Sequence, residues 1–158
     1  MTPEDYDVKA CAPWDLSETD LVTCFAIIRS GEAVDPATMR SVLPRALALV
    51  LARKGDRIVG VGAIKPVRFL YASKIAKRSG VRFDPQTPEL GYVAVDTGHR
   101  GYRLSHRIVA KLLSKHHGPL FATTAAEPMK RTLAKARFVK QEHEWDGRSA
   151  KLSLWLRE

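Results

Sequence analysis

The sequence predicts one domain with a mixed α/β fold, on three observations. The chain has 158 residues, of which 45% are hydrophobic and 27% charged, as in a single soluble globular domain. Apolar residues recur at helical spacing in some segments and alternate in others. These segments follow one another in the order α-α-β-β-α-β-α-β-α-β-β, with no linker between them. Two strand–helix–strand units therefore lie in the C-terminal half.

Two helices are predicted before the first strand. An S-x-x-D capping pattern begins at Ser17, and the apolar residues after it repeat at helical spacing, so the first helix covers 17–29. Asp35 before Pro36 is the N-cap and N1 pattern of a second helix, which extends toward Leu47. No strand is predicted ahead of the first helix.

The remaining elements follow from alternation, helical periodicity and turn residues. Gly55-Asp56 marks the turn between the first two strands, and Asp146-Gly147 marks the turn between the last two. Strands are predicted over 48–53, 57–67, 89–95, 120–124, 138–142 and 150–156. Three further helices are predicted over 70–78, 101–116 and 126–136.

The charge is divided unevenly along the chain. Residues 1–64 carry 7 Lys and Arg against 9 Asp and Glu, whereas residues 65–158 carry 19 against 8. A basic C-terminal half favours a polyanionic partner, which is either nucleic acid or a phosphate-bearing cofactor. Charge alone does not choose between them.

Several classes of protein are disfavoured by what the sequence lacks. It has no run of about 18 apolar residues, so no membrane span is expected. The acidic start has no apolar signal segment, and we expect a cytoplasmic protein. Cys11 and Cys24 lack metal-ligand spacing, so reduced thiols and no metal site are expected. The oligomeric state, monomer or homodimer, stays open.

One turn carries the clearest chemical signal. A strand that ends near Val95 is followed by a polar loop, and Arg100-Gly101 then opens an amphipathic helix. The first N–H groups of a helix lack intrahelical partners and face its positive dipole end, which suits a phosphate or pyrophosphate. The alternative is an ordinary turn between a strand and a helix. Neither the P-loop nor the Rossmann glycine pattern is present.

Two segments resemble the GNAT N-acetyltransferase superfamily. The strand ending at Val95 and the His-Arg-Gly-Tyr-Arg-Leu-Ser after it resemble motif A, V-x-x-x-x-R-G-x-G-x-G/A, and residues 123–138 resemble motif B, N-x-x-M/A-x-x-x-Y/L-x-K-x-G-F. The resemblance covers about residues 17–156. It implies a central mixed, mostly antiparallel sheet flanked by helices, and acetyl-CoA as co-substrate with its pyrophosphate on the turn. The coenzyme-binding residues expected are Val93, Val95, His99, Arg100, Gly101, Tyr102, Arg103, Leu104, Ser105 and His106.

The chain departs from both motifs. Arg103 and Arg137 stand where the motifs usually have glycine, and Ala126 replaces an asparagine. Ser105 keeps a small residue in the last position of motif A. Leu133 occupies the position where many members carry a tyrosine near the coenzyme sulfur, and leucine cannot protonate a leaving thiolate.

Two catalytic residues are expected from the resemblance. Glu89 begins the strand where several members keep a glutamate that accepts the amine proton through water. Its alternative role is an exposed carboxylate at a strand start. Tyr92 is expected on the acceptor side, and its alternative is a sheet-packing aromatic. The resemblance also implies that a backbone N–H near Val93–Val95 stabilises the oxyanion.

The function expected is direct transfer of acetyl from acetyl-CoA to an amine of an unidentified acceptor. Residues 68–88 form a long connection that should lie beside the acceptor cleft. Its five basic residues favour a neutral or anionic acceptor: Arg68, Lys74, Lys77, Arg78 and Arg82. The alternatives are a nucleic-acid-directed enzyme, acting on tRNA or DNA as a base modifier or a toxin, and a catalytically silent coenzyme-binding module.

Overall fold

The computed structural model describes residues 5–31, 34–148 and 150–158. Its helices are α1 (Glu18–Ser30), α2 (Pro36–Val42), α3 (Phe69–Ser79), α4 (Leu104–Ser114) and α5 (Glu127–Lys135). Its strands are β1 (Asp7–Cys11), β2 (Ala48–Lys54), β3 (Arg57–Ile64), β4 (Leu90–Val95), β5 (Leu120–Thr124), β6 (Val139–Lys140), β7 (Trp145–Asp146) and β8 (Lys151–Arg157). None of the described helices combines the length and the apolar character of a membrane span.

The strands form two antiparallel groups. One sheet has the order β1-β2-β3-β4, and the other has the order β5-β8-β6, with β7 also paired to β8. The groups meet where Glu89, just before β4, forms a parallel bridge with Phe121 of β5. Beyond this bridge, no strand pairing between β4 and β5 is found among the described residues.

Helices cover both faces of the first sheet. On one face, α4 packs Ile108 and Leu112 against the strands, and on the other, α1 and α2 contribute buried Ile28 and Met39. Gly62 of β3 allows α4 to approach closely, because a Cβ at this position would overlap Ile108. A third cluster joins α3 to the second sheet through Ala72, Ile75, Phe121, Trp145 and Leu154.

Local capping explains where the first two helices begin, as predicted. The Ser17 side chain accepts a hydrogen bond from Asp20 N at 3.1 Å, and Asp35 Oδ2 accepts one from Thr38 N at 3.1 Å. The predicted extent of the second helix is wrong: α2 ends at Val42, and a 3₁₀ turn follows. Pro44 in that turn lacks the N–H that would continue an α-helix.

Other predicted boundaries also need correction. β1 was not predicted, and it pairs along β2 as an edge strand. The predicted helix over 101–116 begins only at Leu104, because Gly101 and Arg103 have φ angles of 93° and 57° that a right-handed helix excludes. The strand predicted over 57–67 ends at Ile64. The strand predicted over 138–142 shortens to β6, and the Asp146-Gly147 turn instead joins β7 to β8.

Candidate active site

The gap between β4 and β5 opens into a cavity of about 600 Å³. Its walls come from β4, the turn after it, the first turn of α4, and the loop and helix that follow β5. We call it the turn cavity; the residues that define it are Ser30, Gly31, Leu90–Val95, His99–Gly101, Arg103–His106, Ala122, Thr123, Ala126, Pro128, Met129, Arg131 and Thr132.

The turn at the mouth of this cavity is held by its own polar groups. Asp96 accepts a hydrogen bond from Thr97 N at 3.0 Å and an ion pair from Arg57 at 3.2 Å. Arg100 Nε donates to the carbonyl of Val95 at 3.1 Å, so this guanidinium is tied to the end of β4. His99 Nδ1 lies 2.9 Å from the Tyr6 hydroxyl. These contacts preorganise the loop that leads into α4.

The backbone of the turn then presents the start of α4 to the cavity. Gly101 and Arg103 adopt left-handed conformations, and Arg103 is the N-cap of α4 without a side-chain cap. The N–H groups of Leu104, Ser105 and His106 begin the helix and have no carbonyl partner within it. A negatively charged group suits this position, because the positive end of the helix dipole faces it.

Basic side chains surround the same helix start. Burial, and then the charges of Lys135, Arg103 and Arg131, lower the pKa of His106. His106 is therefore neutral at physiological pH while a cluster of cations stands near it. This arrangement favours an anion that carries several charges.

Strand β4 carries an irregularity beside the cavity. Val61 pairs with Ala94 and Ala63 pairs with Gly91, so Tyr92 and Val93 together face the single residue Gly62. Tyr92 takes up the bulge with a φ of 56°, which is uncommon for a residue other than glycine. A bulge interrupts the ladder and frees backbone polar groups, and this one lies at the edge that faces the gap.

A second cavity of about 410 Å³ also borders the bulge. We call it the charged cavity. It shares Gly91–Ala94 and Thr123 with the turn cavity, and its other lining residues are Ile28, Val34, Asp35, Thr38, Lys65, Arg68, Tyr71, Glu89, Arg148 and Leu152. The two cavities thus meet at β4.

Glu89 lies at the bottom of the charged cavity in a buried ion pair. Lys65 Nζ is 2.9 Å from Glu89 Oε1, and both side chains are about one-tenth exposed. The same ammonium lies 4.0 Å from the centre of the Tyr92 ring. Because Glu89 is buried, the alternative of an exposed carboxylate at a strand start is wrong. A buried carboxylate needs a partner for its charge, and Lys65 is that partner.

Two tyrosines surround this carboxylate. Burial, and then the charge of Glu89, raises the pKa of Tyr92 to about 12. The charge of Glu89, and then burial, raises the pKa of Tyr71, whose hydroxyl interacts with Thr123. Both phenols keep their protons at neutral pH and can donate hydrogen bonds.

The structure brings together most of the residues expected from the sequence. Nine of the ten expected coenzyme-binding residues line the turn cavity, the exception being Tyr102. The Tyr102 side chain packs on the Tyr6 ring instead, with ring centres 5.5 Å apart. Tyr92 and Glu89 line the charged cavity. Of the five basic residues in 68–88, Arg68 alone belongs to either lining.

Part of the charged cavity is not predicted from the sequence. Lys65 gave one usable signal, a lysine within an otherwise apolar part of a predicted strand, whereas Asp35 is predicted only as a helix cap. No catalytic or binding role is predicted for Tyr71, and Thr123 belongs only to the motif B resemblance. Arg148 gave no signal, because it reaches the cavity from the hairpin between β7 and β8.

The chain is similar to known proteins in structure but not in sequence. No protein-family model and no curated protein matches the sequence. Solved structures do match, among them an acyl-CoA N-acyltransferase from Pseudomonas aeruginosa, with 12% identity, coverage of 97% of this chain and 99% of that one, and a TM-score of 0.66. The chain has the GNAT acetyltransferase fold. The NatC complex bound to Gag peptide and CoA also matches, with 14% identity, coverage of 99% and 98%, and a TM-score of 0.67.

A GNAT-family acetyltransferase structure from Desulfovibrio desulfuricans matches with 14% identity, coverage of 97% and 98%, and a TM-score of 0.62. These likenesses confirm the predicted GNAT fold, with its mixed, mostly antiparallel strands flanked by helices. In this fold, both cavities are lined by residues of β4.

Proposed function

We propose that the protein is an N-acyltransferase that uses acetyl-CoA and acetylates a primary amine by direct transfer. The observation that carries this proposal is the meeting of two different cavities at the bulge of β4. One offers free helix N–H groups and basic side chains, and the other offers a carboxylate and two phenols. A donor and an acceptor could thus reach one reaction point through separate cavities.

The turn cavity fits the coenzyme chemically. Its pyrophosphate would be held by the N–H groups of Leu104, Ser105 and His106, with Arg103 and Arg131 adding charge. Gly101 leaves its side of the turn free of side-chain atoms. When bound, acetyl-CoA supplies an acetyl thioester, from which the acetyl group passes to the amine nitrogen as the C–S bond breaks and the C–N bond forms.

The residues of β4 and its neighbours would serve that transfer. Backbone N–H groups at the Tyr92–Val93 bulge are the candidates to stabilise negative charge on the carbonyl oxygen. Glu89 would accept the proton of the attacking amine, directly or through water. Leu133 is fully buried in the core, so the thiolate takes its proton from elsewhere. Tyr71, protonated and next to Thr123, is the candidate donor.

The test combines coenzyme binding with turnover. Acetyl-CoA at 100 times its dissociation constant should stabilise the fold by about 2.7 kcal/mol, measured by thermal or chemical unfolding. A mixture of primary amines should then release free CoA thiol at a rate above hydrolysis. The absence of stabilisation at millimolar acetyl-CoA would refute the proposal. Stabilisation without thiol release from any amine would leave a silent coenzyme-binding module.

A further inference from the structure

The charged cavity has more cations than its own carboxylates neutralise. Lys65, Arg68 and Arg148 face it, against Asp35 and Glu89. The Lys65 charge is taken by Glu89 at 2.9 Å. The Asp35 carboxylate accepts hydrogen bonds from Thr38, and this contact lowers its pKa first, with Arg148 adding a smaller effect.

The two arginines remain available to a ligand. None of the ion pairs within 4 Å among the described residues includes Arg68 or Arg148. Guanidinium groups bind planar carboxylates and phosphates through paired N–H donors. A cavity lined by two guanidinium groups outside any ion pair among the described residues is suited to an anion.

Arg68 is positioned more firmly than a surface arginine. It precedes the first residue of α3, and its guanidinium carbon lies 4.4 Å from the centre of the Tyr71 ring. Stacking on a ring holds a guanidinium plane while its N–H edge stays free to donate. Tyr71 itself is held by Phe121, with ring centres 6.4 Å apart.

The same cavity also holds groups that suit an amine, since Glu89 and Tyr92 belong to its lining. Glu89 and the Tyr92 hydroxyl lie beside the bulge where the two cavities meet. An acceptor that carries both an amine and an anionic group would match both kinds of lining residue. We infer that the acceptor is a small primary amine that carries a carboxylate or a phosphate, with Arg68 and Arg148 binding its anionic group. This inference rests on the proposed acyltransferase function.

The size of the cavity supports a small acceptor. Its volume of about 410 Å³ is typical of a small-molecule site. A polynucleotide would need a continuous basic surface along several phosphates. On α4, the Arg107 guanidinium donates to the carbonyl of Tyr6 at 3.3 Å and is thus engaged within the protein. The remaining basic residues of 68–88 lie outside both cavities.

The experiment measures acetyl transfer to matched pairs of amines. Glycine is compared with glycinamide, and 2-aminoethyl phosphate with ethanolamine, each at a pH where equal fractions of amine are neutral. The wild-type protein should prefer the anionic member of at least one pair by about 10- to 100-fold in kcat/KM. The pair with the larger preference distinguishes carboxylate from phosphate.

Two variants test whether Arg68 causes the preference for the anionic amine. Arg68→Gln should reduce it at least tenfold, mainly through KM, while coenzyme-dependent stabilisation stays unchanged. Lys74→Gln is the control, because Lys74 lies on the same helix but outside the cavity, and it should leave the preference intact.

Three results would overturn the inference: equal use of both members of each pair, an unchanged preference in Arg68→Gln, or acetylation of RNA or DNA without any small amine. If the coenzyme binds but no amine reacts, the affinities of the protein for N-acetylglycine and for N-acetylglycinamide are compared instead. Equal affinities would refute the inference. If the coenzyme does not bind at all, the proposed function itself fails.

Discussion

The two cavities that meet at β4 are built in different ways. Most of the turn cavity comes from one continuous stretch, residues 90–106, in which a strand, a turn and a helix start follow each other. The charged cavity gathers single side chains from α2, the end of β3, α3, β4 and the last hairpin. A site made of backbone conformation can be recognised in a short sequence, whereas a site made of distant side chains cannot.

The two cavities should also fail differently under mutation, and the largest effect is expected at the buried pair in the charged cavity. Glu89→Gln should lower turnover by roughly 10²–10⁴-fold near neutral pH, because the amine proton loses its acceptor. It should also lower the free energy of unfolding by about 3–5 kcal/mol, since Lys65 is left charged and unpaired. Steady-state kinetics and chemical unfolding measure the two effects.

A double variant separates catalysis from stability at this pair. Lys65→Met with Glu89→Met removes both charges and should regain most of the lost stability without regaining turnover. Recovery of both stability and turnover would mean that Glu89 serves the fold alone.

The next effect is expected in the turn cavity and should spare the fold. Gly101→Val places a branched side chain at a φ of 93°, so the turn must change its conformation. The coenzyme-dependent stabilisation of about 2.7 kcal/mol should fall below about 1 kcal/mol. Gly98→Val is the matched control: this glycine has no positive φ and open space around it, so full stabilisation should remain. Equal losses in both variants would contradict the role of the turn.

A smaller effect is expected at two arginines, Arg103 and Arg137, that both have a left-handed backbone conformation. Arg137 ends α5 in a left-handed conformation with a φ of 70°, while Arg137 N and Phe138 N donate to the carbonyls of Ala134 and Leu133. This pattern is a Schellman motif, which favours glycine. Arg137→Gly should raise the free energy of unfolding by up to about 1 kcal/mol, measured by urea unfolding.

Arg103→Gly should give a similar gain in the free protein, because its φ is 57°. It should also weaken coenzyme affinity by up to about fivefold, since Arg103 lines the turn cavity and contributes charge there. Unchanged affinity in Arg103→Gly would remove this side chain from the binding site.

The smallest effect concerns pH. The lowered pKa of His106 keeps it neutral in the free protein, and a bound polyanion would favour its protonation. Coenzyme affinity should therefore rise by about two- to fivefold as the pH falls from about 8 to 6. His106→Gln should flatten this dependence, whereas His117→Gln, exposed beyond the end of α4, should keep it. In the free protein, the folding stability changes with pH in the opposite direction. The stability that neutral His106 contributes is present above the pKa of this residue in the unfolded chain and is lost as the pH falls below that pKa.

Tertiary structure also explains the departures from the GNAT motifs. At both positions where arginine replaces a motif glycine, the φ angle is positive. Glycine adopts such an angle without strain, whereas these arginines adopt it at some cost in conformational energy. Leu133 packs in the core and closes the Schellman motif with Phe138, so its role here is packing.

The sequence by itself determined the order of the helices and the longer strands, their caps, the two motif segments and the turn that faces the turn cavity. These features depend on apolar periodicity and on contacts between residues a few positions apart. Only the tertiary structure decided that β1 joins the edge of the sheet and that Glu89 is buried against Lys65. It also brought Arg68 and Arg148 to the same cavity. Each depends on contacts between residues far apart in the chain, whose energies the local pattern does not contain.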